Sequence, residues 1–181
     1  MKQHEQSFNS KILLFGEYSI IQDSMGLTLP YNEFKGKLTY DTAAINEHFV
    51  TESNDHLNDF ANYLQHLIDT QQLAVVFDIQ AFKTDIKKGI YFQSSIPQGF
   101  GVGSSGALVA AVYGKYVAHK IDFENAPNKQ AILELKAVFA KMESHFHGNS
   151  SGVDPLICYL NLPLLIKGKD GIEPVKISLN N

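Results

Sequence analysis

The run Pro97-Gln98-Gly99-Phe100-Gly101-Val102-Gly103-Ser104-Ser105-Gly106-Ala107 constrains this chain more than any other stretch. Its alternate glycines remove the Cβ atoms that keep a backbone away from a ligand, and an apolar helical run begins at Ala107. A helix mouth presents unpaired N–H groups carrying about half an elementary charge, so a loop of this composition reads as a phosphate cradle. The two serines are free to cap the helix, to bind phosphate or to ligate magnesium. No Gly-Lys-Ser/Thr ending follows, which excludes a Walker A loop. Taken alone, the same run is also a flexible strand-to-helix turn.

With 181 residues, 44% of them apolar, the chain can bury a proper core and is long for one domain but short for two. A formal charge of −4 argues against a nucleic-acid or anionic-membrane partner. Cys158 is the sole cysteine, so no internal disulfide forms. No apolar run approaches the roughly 20 residues that span a bilayer. The cytoplasm is the expected compartment.

Residues Met1 to Ser10 read as a loose polar end. Lys11 to Phe15 then reads as a short strand, Gly16-Glu17 as a tight turn and Tyr18 to Ile21 as a second strand. Lys11 is by this reading a solvated strand start and Glu17 a hairpin residue. Gly26 to Tyr40 reads as a turn followed by extended chain. Leu57, Phe60, Ala61, Leu64, Leu67 and Ile68 form one helical stripe. Val75 to Ile79 and Ile90 to Phe92 are expected strands, the second leading into the glycine run, where Pro97 ends any ladder.

The helix from Ala107 to Val117 is apolar almost all round and is expected to be buried. A further helix carries Ile132, Leu135, Val138, Phe139, Met142 and Phe146 on one stripe, with Pro127 suited to its first turn. Glu143 lies near its C-terminus, the wrong pole of the macrodipole for a carboxylate, where a cation would compensate. The small-residue loop Gly148-Asn149-Ser150-Ser151-Gly152-Val153 then delivers Asp154. Locally, Asp154 suits a helix N-cap with Pro155 at the first helical position. His145 and His147 are not spaced to share one helix face, which disfavours a zinc site. Leu162 to Ile166 and Val175 to Leu179 are the last expected strands.

Lys11 with Gly16-Glu17, the run from Pro97 to Ala107, and Glu143 with His147-Gly148 and Ser151-Gly152-Val153-Asp154 together resemble the N-terminal half of a GHMP kinase, in particular of its mevalonate kinase branch. The resemblance implies an α+β fold, with a mostly antiparallel sheet packed against helices and a phosphate loop leading into a buried helix. It implies ATP and Mg²⁺ as cofactors, with Pro97, Gly99, Gly101, Gly103, Ser104, Ser105, Gly106 and Ser151 around the nucleotide. Ser105 and Glu143 would hold the metal, Asp154 and Lys11 would flank the acceptor hydroxyl, and Glu17 and Tyr18 would face the substrate. The implied activity is phosphoryl transfer to a small-molecule alcohol, most like mevalonate, within isoprenoid biosynthesis and with a homodimer left open.

Some positions depart from that pattern. Phe8-Asn9-Ser10 replaces the Ala-Pro-Gly before the lysine, Tyr18 stands where a histidine is usual, and Ser150 where proline is common. Gly106 and Gly16-Glu17-Tyr18 also resemble phosphomevalonate kinase, whereas Tyr18-Ser19-Ile20 lacks the aspartate of a galactokinase. Similar kinases carry a second domain with another glycine-rich segment, and nothing after Asp154 resembles one. Residues 1–181 are therefore expected to form the N-terminal, ATP-binding domain without its C-terminal partner.

Overall fold

A computed structural model of the chain describes residues 5–16, 25–41, 46–120, 128–168 and 171–177. Its elements in chain order are β1 (Ser7–Phe15), β2 (Met25–Thr39), α1 (Glu47–Asp69), α2 (Ile79–Lys87), β3 (Tyr91–Ser94), α3 (Ser104–Tyr116), α4 (Lys129–His147), α5 (Val153–Leu160), β4 (Leu164–Lys167) and β5 (Gly171–Pro174). Every strand pairing is antiparallel, in the order β1-β2-β4-β5 with β3 on β2. The fold is α+β, as expected from period-two strands and separate helical stripes.

The long strand β2 organises the sheet. One edge of it pairs along β1, and the other takes β3 near its end and β4 near its start. At the break in register between Asn9 and Ser10 the extra residues, Asn32 to Phe34, are in β2, which is therefore the bulged strand. Against this sheet lies α3, which touches β1, β2, α4 and α5. Its Ala107, Val109, Ala110, Ala111, Val112 and Tyr113 are all buried, as a helix apolar on every side must be. Tyr159 of α5 meets Tyr113 and Phe139 edge-on and stacks on Phe8, so one aromatic cluster joins β1, α3, α4 and α5.

Several local expectations are corrected. Ser7 to Ser10 are not a loose end but the first half of β1, and Ser10 is fully buried with its hydroxyl donating to the Tyr31 carbonyl at 2.9 Å. Lys11 accordingly sits in mid-strand. Val75 to Ile79 is not a strand: Phe77 makes one isolated bridge to Val117, and Asp78 starts α2 by accepting from the Ala81 N–H at 2.9 Å. Ile79, Phe82 and Ile86 supply the buried stripe of that helix. The last strand among the described residues is Gly171–Pro174, and Val175 to Ile177, the described part of the expected strand Val175 to Leu179, lie outside any strand. The expected strand Tyr18 to Ile21 and the position of Pro127 lie outside the described residues.

Candidate functional site

Lys11 is buried in mid-strand, and its backbone N–H donates to the Val102 carbonyl at 3.0 Å. That bond ties the glycine loop to the outer edge of β1. The Lys11 ammonium then reaches Asp154 Oδ1 at 2.9 Å. A lysine with only 10% of its side chain exposed needs such a partner, because an isolated buried charge is expensive.

Asp154 is not the N-cap that its sequence suggests. Gly152 takes that position at φ 74°, Val153 begins α5, and Asp154 stands second in its first turn with Pro155 third. Proline is harmless there, since the first-turn N–H groups have no partners within the helix. A carboxylate in the first turn also meets the favourable pole of the helix. The serines likewise stand inside α3 rather than ahead of it: Gly103, at φ 85°, is the N-cap, and Ser104 and Ser105 open the helix. A Cβ on Gly103 would come within 2.8 Å of Lys11 Cγ, so this glycine gives the lysine its path to Asp154.

Glu143 is 3% exposed near the end of α4. Its two oxygens are held by two hydroxyls: Ser105 Oγ donates to Oε1 at 3.1 Å, and Ser150 Oγ donates to Oε2. His147 Nε2 lies 2.9 Å from Ser105 Oγ. Burial pushes the Glu143 carboxyl above its usual range, the Asp154 charge adds to this, and the hydrogen bonds from Ser150 and Ser105 oppose it. Burial also pushes the Cys158 thiol up; its Sγ lies 3.8 Å from the Gly103 carbonyl.

Of these groups Ser105, His147 and Asp154 line one cleft of about 740 Å³, while Lys11 and Glu143 stand behind it, joined to it through Asp154 and Ser105. Pro97, Gly99, Gly101, Gly103, Ser104, Ser105 and Asp154 line it, and Phe92, Leu108 and Phe146 give it an apolar wall. Other expected site residues stand apart. Gly106 is buried at the contact of α3 with α5, where a Cβ would meet the Asp154 carbonyl carbon at 2.8 Å. Ser151 is exposed, and its hydroxyl accepts from the Val153 N–H at 3.3 Å. Glu17 and Tyr18 lie outside the described residues. Two residues that sequence reasoning passed over join the site, Ser150 and His147. The available signal for His147 was its i,i+4 spacing from Glu143, which places both on one face of α4.

The oxygen set of Ser105 and Glu143 fits a hard divalent cation. The buried carboxylate is met by hydroxyls, and among the described residues no lysine ammonium lies within ion-pair distance of it. The described residues hold no cluster of three His, Cys, Asp or Glu side chains able to bind a metal by themselves. Magnesium does not need one, since it commonly binds through one or two carboxylates, waters and substrate phosphates.

The sequence profile described as GHMP kinases N terminal domain matches residues 62–161, more than half of the chain. The protein belongs to the GHMP kinases. Comparison with curated proteins gave no match. Among solved structures, this GHMP kinase chain is similar to the mevalonate kinase of Methanococcus jannaschii, with 16% identity and a TM-score of 0.50 over 95% of this chain and 55% of that one. It is also similar to L. major mevalonate kinase in complex with R-mevalonate, with 16% identity and a TM-score of 0.53 over 98% of this chain and 53% of the other. A third mevalonate kinase structure gives 17% identity and a TM-score of 0.52, with 96% and 56% covered. At such identities the likeness is one of fold. The chain spans about half the length of these kinases. Among the described residues no helix is long and apolar enough to cross a membrane.

Proposed function

We propose that this chain is the ATP-binding part of a small-molecule kinase that transfers the γ-phosphoryl group of ATP to an alcohol, most like mevalonate. The observation that carries the reading is the Lys11–Asp154 ion pair at 2.9 Å, bordering the cleft that the glycine loop lines. Two surface charges remote in sequence have no reason to converge on a phosphate loop, whereas a group that accepts an alcohol proton must stand there.

Phosphoryl transfer asks the protein mainly for positioning and charge stabilisation. The acceptor oxygen bonds to the γ-phosphorus, the bond from that phosphorus to the β-bridging oxygen breaks, and ADP leaves. The hydroxyl proton passes to the Asp154 carboxylate, while the Lys11 ammonium stabilises charge growing on the acceptor oxygen. The open amides of the glycine loop and of the first turn of α3 face the polyphosphate. The base lies against the apolar wall of Phe92, Leu108 and Phe146. Ser105 and Glu143 would hold Mg²⁺, which when bound neutralises phosphate charge.

A coupled assay of ADP release, with Mg·ATP and a panel of alcohols including mevalonate, tests this reading. Expected is turnover that needs one alcohol class, either by this chain alone or together with the second domain that related kinases carry. Tight Mg·ATP binding with no alcohol-dependent turnover in either case would favour a non-catalytic nucleotide-binding module instead. No binding of Mg·ATP at all would overturn the reading.

A further inference from the structure

The Glu143 carboxylate lies at the convergence of two hydrogen-bond relays. Ser150 has one hydroxyl hydrogen and gives it to Glu143 Oε2, so its lone pairs are left to accept the Gly152 N–H at 3.0 Å. Ser105 gives its hydrogen to Oε1, and its oxygen lies 2.9 Å from His147 Nε2. Each carboxylate oxygen keeps further lone-pair capacity. The two relays differ in where they lead. The Ser105 relay returns to α4 through His147. The Ser150 relay ends on the backbone of Gly152, the N-cap of the helix whose first turn holds Asp154.

We infer that Ser150 is a positioning residue that couples the cation-holding carboxylate to the proton acceptor. This rests on the phosphoryl-transfer reading above. Its hydroxyl fixes the plane of the Glu143 carboxylate and, through the same oxygen, the start of α5. Among the described residues, no other side chain bridges Glu143 to that helix start. Gly152 is pinned on its other side by α4, where a Cβ would lie 2.2 Å from the Lys136 carbonyl oxygen. The first turn of α5 is therefore held between the backbone of α4 and the Ser150 hydroxyl. Ser150 bonds to Glu143 but not to Asp154, and it sets where both stand.

Calorimetric titration of the chain with Mn²⁺ in the presence of ADP tests this, because it reads the site without turnover. Ser150→Ala should weaken Mn·ADP binding by about tenfold or more, the usual cost of losing a partner of a metal ligand. Ser150→Thr keeps the hydroxyl and should stay within about threefold of the parent. In a Glu143→Gln background the same Ser150→Ala change should cost almost nothing further, since the ligand it positions is gone. Should the alanine variant fail to fold, the near-isosteric, weakly donating Ser150→Cys takes its place, and its loss should fall between the roughly threefold limit set for threonine and the roughly tenfold loss expected of alanine. Parental affinity in the alanine or cysteine variant, or a full loss that persists in the Glu143→Gln background, overturns the inference. A parent chain that binds no Mn·ADP overturns the kinase reading itself, a separate result.

Discussion

Three helices of this molecule begin in one way and two in another. Asn46, Asp78 and Asn128 cap α1, α2 and α4 with side-chain oxygens that accept from His48, Ala81 and Ala131 N–H at 2.9, 2.9 and 2.8 Å. At the starts of α3 and α5 stand Gly103 and Gly152, both left-handed, with no capping side chain. A side-chain cap satisfies an orphan amide from within the chain and stabilises a helix by about 1 kcal/mol. Both uncapped helices open on residues of the cleft, Ser104 and Ser105 for α3 and Asp154 for α5. The scaffold helices thus close their own N-termini from the cap residue, whereas α3 has no side-chain cap and α5 is met only from the preceding loop, where Ser151 Oγ accepts from the Val153 N–H at 3.3 Å; on the kinase reading the remaining open amides would face a ligand. Glycine at those caps also keeps side chains out of the approach.

The sharpest break in this comparison should come at Gly152. Alanine there would put its Cβ 2.2 Å from the Lys136 carbonyl oxygen and 2.6 Å from Ala140 N, both in the backbone of α4, at φ +74°. Left-handed strain and overpacking together should cost on the order of 3 kcal/mol or more, seen as a melting temperature far below the parent's. Gly103→Ala meets only the flexible Lys11 side chain and Cys158, so about 1–3 kcal/mol is expected. Equal losses at the two positions would erase the distinction between a glycine held by backbone and one held by side chains.

Asp154→Asn keeps the first turn of α5 and removes the charge. Turnover in the coupled assay should fall by about 10²-fold or more, with Mg·ATP affinity nearly intact. An equal loss of nucleotide affinity would move Asp154 from the acceptor side to the phosphate side of the cleft. At a scaffold cap, Asn128→Ala should lower stability by about 1 kcal/mol and leave nucleotide binding unchanged, checked by denaturant melts and titration of the same sample.

The smallest effect belongs to Asp85, at the end of α2 and away from the cleft. Burial pushes its carboxyl up, but hydrogen bonds from Tyr40 and Tyr116 and the Lys115 charge outweigh this and hold it below the usual range. A carboxyl lowered on folding adds stability that is full above its unfolded value and is lost as pH falls through the folded one. Asp85→Asn should therefore cost about 1 kcal/mol or less at pH 7, because the partners are partly exposed, and the difference should vanish in acid below the ordinary carboxylate range. Melting curves of both proteins across that range check the sign.

The long helices were legible because α1, α3 and α4 carry unbroken apolar stripes or are apolar throughout. α2 was not, since three buried residues in a nine-residue helix leave little periodicity, and its clearest mark is the single cap Asp78. Ser10 misled by chemistry: a polar residue reads as surface, yet its hydroxyl finds a backbone carbonyl and is buried with it. At α5, Asp-Pro suggested a cap with proline following, and the backbone freedom of Gly152 moved the start of the helix two residues earlier. Which residues belong near the cleft came from the family pattern in the sequence. That Ser150 bridges Glu143 to Gly152 came only from the fold, because hydroxyls carry no spacing signal of their own.

Gly106 has a mechanical meaning. With only a hydrogen where a Cβ would sit 2.8 Å from the carbonyl carbon of Asp154, α3 and α5 meet backbone to backbone at this point, with no side chain to act as a lubricant there. The start of α3 after the glycine loop and the acidic residue at the start of α5 are thereby held close together by backbone contact. The outer loop is unlike this: a Cβ on Gly99 or Gly101 would meet nothing within 4 Å. On the kinase reading the cleft would then work as an anvil with a soft rim: ligands would pass over the rim, while the distance a phosphoryl group must cross would be set by two helices held at Gly106.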